Sequence, residues 1–344
     1  MEKKTNDLYL NNCTFIKTIL MLLVVIYHSS VFWTGTWLDT IKVSQPSVFL
    51  SLFSKWLNSF HIYTFTLVSG YIFNSLIEKG KYKDFHLFLY KKIKRLVVPY
   101  WFVALVWVAP ISFLFFSMDI REIFYKFALC INPSQLWFLW MLFDIFIISW
   151  FLREYIKRDI FAVIFCISSY TLSFIGSKLL INIFCIWSAL RFLTFFIIGM
   201  KISEKVDKIL NRIPILFYII AHTIFFMIVN LISNNDGVIY SLLQFVFTYL
   251  MNIAGSLMAF YVLRYFSTKF DWQNFKLFNK FSNRAMVIYL FHQQIIYFTI
   301  ILLNGKISPI LNMIINFIVA IIISYIISDM LLKFRITRIL VGEK

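Results

Sequence analysis

The chain has 344 residues, 61% of them hydrophobic and 14% charged, and its mean hydropathy is +0.81. That excludes an ordinary soluble domain and marks an integral membrane protein. Its 33 Lys and Arg against 16 Asp and Glu give a net charge of +17, which in a soluble chain would point to nucleic acid; here topology accounts for most of it.

Ten stretches, near residues 13–33, 52–77, 96–118, 135–152, 160–176, 182–200, 215–233, 239–263, 285–303 and 309–332, are apolar enough to cross a bilayer. A crossing helix needs about 20 residues. The predicted fold is therefore an all-α integral membrane protein of about ten transmembrane helices. With the N-terminus inside, 25 of the 33 Lys and Arg fall in cytoplasmic segments. This bias places both termini in the cytoplasm. Residues 1–344 read as a single membrane domain with no separate soluble domain. The first span follows Lys3 and Lys4 but lacks a small-residue cleavage pattern, so it reads as a retained helix and not as a signal peptide.

The first span, FIKTILMLLVVIYHSSVF, holds Lys17 and His28. Eleven residues of helix return a side chain to nearly the same face, about 16 Å along the axis, so base and cation share one stripe. Ionisable groups in a span are costly and normally face a protein interior or a water path. A neutral imidazole in such a stripe can accept a proton from a hydroxyl. The plainer readings are a histidine bonding a neighbouring helix and a lysine snorkelling to the interface.

The second span, SFHIYTFTLVSGYIF, carries His61 midway and Gly70 further in. His61 is a second candidate base or an orienting partner for His28; Gly70 permits close helix approach. The following segment, KGKYKDFHLFLYKKIKRLVVPY, concentrates Lys91, Lys92, Lys94 and Arg95 at the entrance of the third span. It reads as an amphipathic surface helix, and its cations either serve topology and anionic lipid or dock a phosphorylated cytosolic ligand.

Asp144 in the fourth span and Arg191 in the sixth are expected to pair, or else each to line an aqueous cavity. His292 in the ninth span, beside Gln293 and Gln294, reads as polar glue between helices. Cys13, Cys130, Cys166 and Cys185 are scattered without CxxC spacing, so free inert thiols and no metal site are expected. Zinc-protease, nucleophile-elbow, phosphate-loop and dinucleotide motifs are absent, as are internal repeats.

Taken in order, KTILMLLVVIYHSS, HIYTFTLVSGYIF, YKKIKRLVVPY, LWFLWMLF, FFIIGM and VIYLFH resemble the first, second, third, fourth, sixth and ninth helices of the membrane-bound acyltransferase family 3, of the polysaccharide O-acyltransferase type. Many members carry an Arg eleven residues before the first-helix His; Lys17 stands at that position and His28 is kept. The inner-loop Arg-x-x-Arg pattern is matched in part, by Lys92 and Arg95. Both departures keep the charge and lose planar bidentate geometry.

The resemblance implies transfer of an acyl group, most simply acetyl, from cytosolic acyl-CoA to a hydroxyl of a cell-surface or lipid-linked polysaccharide at a bacterial plasma membrane. His28 would be general base or acyl carrier, with Lys17 and His61 as further catalytic residues. Lys91, Lys92, Lys94, Arg95 and Arg191 would hold the donor. Acetyl-CoA would be a substrate, with no bound cofactor and no nucleic-acid partner. The rival reading is a transporter or flippase of a glycan or lipid-linked precursor, which buried charges in ten spans would also suit.

Overall fold

A computed structural model describes residues 2–343 apart from 39–40, 83, 117, 203–205, 207–208, 211 and 234; of residues 2–11 it describes the backbone alone. Lys83 of the basic segment and the side chains of Lys3 and Lys4 therefore lie outside the described residues. Hydrocarbon offers no partner for backbone N–H and C=O groups, so each crossing segment must satisfy them internally. Accordingly, the described residues are helical wherever the sequence is continuously apolar.

The helices are α1 (Glu2–Ser30), α2 (Val48–Asn58), α3 (His61–Glu78), α4 (Phe85–Phe116), α5 (Ile120–Ala128), α6 (Trp137–Ile156), α7 (Asp159–Leu179), α8 (Ile186–Lys201), α9 (Ile215–Ile232), α10 (Val238–Lys269), α11 (Ala285–Leu303) and α12 (Pro309–Leu331). Among the described residues, nine helical runs are long and apolar enough to cross a membrane, and they match nine of the ten predicted spans. The tenth, 52–77, is built from two pieces, α2 and α3.

Polar side chains hold that break at Ser59 and Phe60. The Ser59 hydroxyl donates to the Trp56 carbonyl at 2.6 Å, so it must accept at 2.7 Å from Nε2 of His222 on α9. His61 Nδ1 lies 2.6 Å from the Leu57 carbonyl, to which it can only donate. A broken helix inside a bundle is tolerated where neighbouring side chains take up the freed backbone groups.

The basic segment behaves differently from expectation. Instead of a separate surface helix, residues 85–116 form one continuous 32-residue helix with two π turns, Ile93–Val97 and Ala104–Val108. At 1.5 Å per residue this is about 48 Å against a hydrocarbon layer of about 30 Å, so the cationic step is the inner overhang of the span itself. Each π turn lies just before a proline, Pro99 and Pro110. Proline removes the i→i−4 bond and crowds that carbonyl, and a π turn makes room without ending the helix.

Helix α1 runs through the middle of the bundle, packed on α3, α10, α11 and α12. Beside it α3 and α8 cross at glycines. A Cβ on Gly70 would stand 2.0 Å from the Phe196 carbonyl oxygen, and one on Gly199 2.0 Å from that of Leu67. The close approach read from Gly70 is thus reciprocal, as small residues allow in membranes. Gly70→Ala or Gly199→Ala must push the backbones apart, and overpacking of this kind costs about 1–3 kcal/mol. Either variant should show a clearly lower thermal midpoint in detergent; an unchanged midpoint would contradict the crossing.

Candidate active site

A cavity of ≈ 350 Å³ opens among α1, α3, α4, α6 and α11. Lys17, Lys92, Arg95 and Glu343 line its polar end, while Val24, Ile62, Phe138 and Tyr289 line its apolar end. Thr14 and Val24, the two ends of its lining on α1, lie ten residues apart, about 15 Å at the helical rise, which sets the span of the cavity along that helix.

Of the four cations of the basic step, Lys92 and Arg95 line this cavity, and Lys91 and Lys94 do not. Positions three apart share a helix face, so 92 and 95 point one way and 91 and 94 another. The Lys92 ammonium sits 3.3 Å from the centre of the Phe146 ring, with the Tyr82 and Phe88 rings at 5.3 and 5.4 Å. Aromatic faces of this kind attract a cation, and three rings gather round Lys92 beside the cavity.

One helical turn beyond Val24 stands His28. Its Nδ1 is 2.7 Å from Nε2 of His292 on α11, and the two rings are 4.9 Å apart. The direction of this bond follows from what lies behind it. His292 Nδ1 is 2.7 Å from the Tyr289 carbonyl and 3.2 Å from that of Ile288. Carbonyl oxygens only accept, so Nδ1 of His292 carries the proton. In a neutral pair, Nε2 of His292 then accepts from His28 Nδ1–H, and His28 Nε2 is left with its lone pair. A carbonyl fixing one tautomer, which fixes the next, is how histidines are poised as bases.

His28 is partly exposed, whereas His292 and His61 are buried. The rings of Tyr27, Trp37 and His292 surround it, at 5.1, 5.8 and 4.9 Å. His61 packs on Tyr27 with ring centres 4.9 Å apart, and its Nδ1–H is spent on the helix break. The residue standing directly behind His28 is therefore His292, which sequence reasoning read as helix glue; the distance in sequence, 264 residues, hid the partnership.

Glue does describe its neighbour. Gln294 and Gln135 exchange amide hydrogen bonds at 2.7 and 3.0 Å, and Gln135 also donates to the Leu290 carbonyl at 2.9 Å. Gln135 stands at the outer start of α6, while Leu290 and Gln294 lie in the first half of α11. The outer connection before α6 therefore dips into the bundle. Backbone strain marks the dip: Cys130, Asn132 and Ser134 have φ of 54°, 50° and 54°, and Phe184 and Cys185, packed beside them, 52° and 57°. Left-handed non-glycine residues persist only where surrounding contacts hold them, here the Phe184 N–H to Leu129 carbonyl bond at 2.8 Å and the Cys185 thiol on the Cys130 carbonyl at 3.1 Å.

The expected Arg191–Asp144 ion pair does not form among the described residues. Asp144 faces Cys130 and Cys185, and its Oδ2 is buried without a partner. Arg191 instead sits against the phenols of Tyr63 and Tyr170 and lines a second cavity, apart from Lys92 and Arg95. The alternative reading, in which Arg191 faces a cavity without meeting Asp144, is the one the geometry follows.

Bundle, cavity and paired histidines together define a multi-pass membrane protein in which two histidines meet between α1 and α11. A family model described as an acyltransferase domain, Acyl_transf_3, matches residues 10–331, and the chain belongs to this family of membrane acyltransferases. No curated protein and no solved structure matches it.

Proposed function

We propose that this protein moves an acyl group, most simply acetyl, from cytosolic acyl-CoA to a hydroxyl of a cell-surface or lipid-linked glycan at the bacterial plasma membrane. The observation that carries the proposal is the lone pair left on His28 Nε2, one helical turn beyond the apolar end of a cavity whose other end carries Lys17, Lys92 and Arg95. Phosphates of the donor meet Arg95, Lys92 and Lys17, since Arg and Lys bind phosphate oxygens through charge-assisted bonds. The acylated arm follows the apolar end toward His28, and the acceptor arrives from outside.

His28 Nε2 takes the proton of the acceptor hydroxyl as its oxygen attacks the thioester carbonyl, forming the C–O bond. Collapse of the tetrahedral intermediate breaks the C–S bond, and the leaving thiolate recovers the proton from His28. General base catalysis of this kind contributes about 10²–10⁴-fold. While His28 carries both protons, its Nδ1–H remains bonded to His292, which spreads the charge.

Purified protein should cleave labelled acetyl-CoA and pass the label to a glycan acceptor or to water; an intact thioester after prolonged incubation would overturn the proposal. Lys17→Arg should keep most of the activity. Lys17→Ala, which loses a charge-assisted bond of about 1.5–3 kcal/mol, should raise KM for the donor roughly 10- to 100-fold. Equal KM values for the two variants would show that the charge has no part in donor binding.

A further inference from the structure

The second cavity, ≈ 340 Å³, lies between α7, α8 and α10. Its lining has a definite polarity. Lys178, Ser177 and Ser241 belong to the outer ends of α7 and α10, whereas Tyr170, Thr248 and Arg191 lie deeper along their helices. Eight residues separate Lys178 from Tyr170, so the pit is about 12 Å deep along α7. Its volume falls within the range of small-ligand sites, about 300–1,000 Å³.

Three features describe what would fit. The first is charge: Arg191 and Lys178 line the pit and no Asp or Glu does. Arg191 has neutral phenols beside it, Tyr63 and Tyr170, and no carboxylate partner among the described residues. A guanidinium within a span calls for an anion, and its planar fork suits an oxyanion with two oxygens. The second is a set of neutral hydrogen-bonding groups: the lining adds serine and threonine hydroxyls and the Gln244 amide. The third is an aromatic wall, in which Tyr170, Phe174 and Phe245 pack at 4.6 and 5.0 Å between ring centres. Aromatic faces with nearby hydroxyl partners suit the apolar face and polar edge of a sugar ring.

We propose that this pit is a binding site for an acidic sugar, whose carboxylate or phosphate meets Arg191 and whose ring lies along the aromatic wall. Lys178 at the mouth draws the anion in. The site also adjoins the centre: Tyr63, which touches Arg191, neighbours Tyr27, whose ring stands against His28. Resting on the function proposed above, the inference is that the acyl acceptor is an anionic glycan, gripped by its charge at a site that two side chains, Tyr63 and Tyr27, separate from His28.

The test is binding to the purified full-length chain in detergent, read as a thermal-midpoint shift and as tryptophan fluorescence. Glucuronate, glucose 1-phosphate and glucose share one ring and differ in charge. At least one of the two anions should bind the wild type, glucose should not, and the anion that binds names the source of the charge. Arg191→Gln should weaken that binding about tenfold or more, as loss of a charge-assisted bond requires. Lys178→Gln, an exposed change that leaves folding intact, should weaken it less.

Equal binding of glucose and both anions, no binding of any, or anion binding unaffected by both substitutions would overturn the site. Thioester cleavage by the wild type is scored separately. Cleavage without anion binding removes the acidic-sugar site alone, and anion binding without cleavage removes the acyl-transfer reading alone.

Discussion

His28→Ala abolishes acyl transfer while the protein still inserts, purifies and melts as the wild type does. The size of the loss is set by what the residue does. A positioned general base contributes about 10²–10⁴-fold, and the two neighbouring imidazoles stand in more enclosed places. His61 packs behind Tyr27, and both His61 and His292 are buried where His28 is partly exposed. Folding should survive because His28 is partly exposed and makes one side-chain hydrogen bond, to His292. The check is label transfer from acetyl-CoA by the purified variant, beside its melting curve. Wild-type activity in His28→Ala would end the assignment of the base. Label recovered on His28 of the wild type after acid quench would make the residue an acyl carrier in place of a base.

His292 is a positioning residue, and its effect should fall on kcat more than on KM. It does not itself line the inner cavity, yet it accepts the bond that fixes the tautomer of His28. His292→Leu removes the acceptor and leaves His28 free to place its proton on either nitrogen. Loss of a hydrogen bond to a group that becomes charged during turnover is worth about 1.5–3 kcal/mol, or roughly 10- to 100-fold in kcat. His292→Gln can offer an amide oxygen to the same Nδ1–H and should recover part of the rate. A purely structural role for His292 would give Leu and Gln variants of equal kcat, or a loss carried by KM.

Parts of this centre were legible in the sequence because membranes penalise charge. Lys17 and His28 stood out in an apolar helix, and eleven residues of spacing placed them on one stripe, which the inner cavity follows from Lys17 to Val24. Gly70 was legible for a similar reason, since a small residue within a span has few uses besides close packing. His292 was not. Beside Gln293 and Gln294 it looked like one of three polar side chains joining helices, and its neighbour Gln294 does that. Only the third dimension brings α11 against α1.

The Arg191–Asp144 pairing failed because hydropathy cannot say which side of a helix meets which neighbour. Arg191 found phenols and a cavity, and Asp144 faces two cysteines. The two-piece second span was hidden for a different reason. Helix breaks are usually announced by Gly or Pro, but here Ser59, His61 and the distant His222 hold the break through hydrogen bonds that no local pattern displays.

At its centre the account holds that donor and acceptor meet at His28 from opposite faces of the membrane. Sealed vesicles with the cytoplasmic face outward test this most directly. Labelled acetyl-CoA is supplied outside, and an acceptor glycan is enclosed within. The account predicts ester-linked label on the enclosed glycan with free CoA remaining outside, lost in His28→Ala. Label confined to acceptors on the same side as the donor, with the enclosed glycan unmodified, would contradict it.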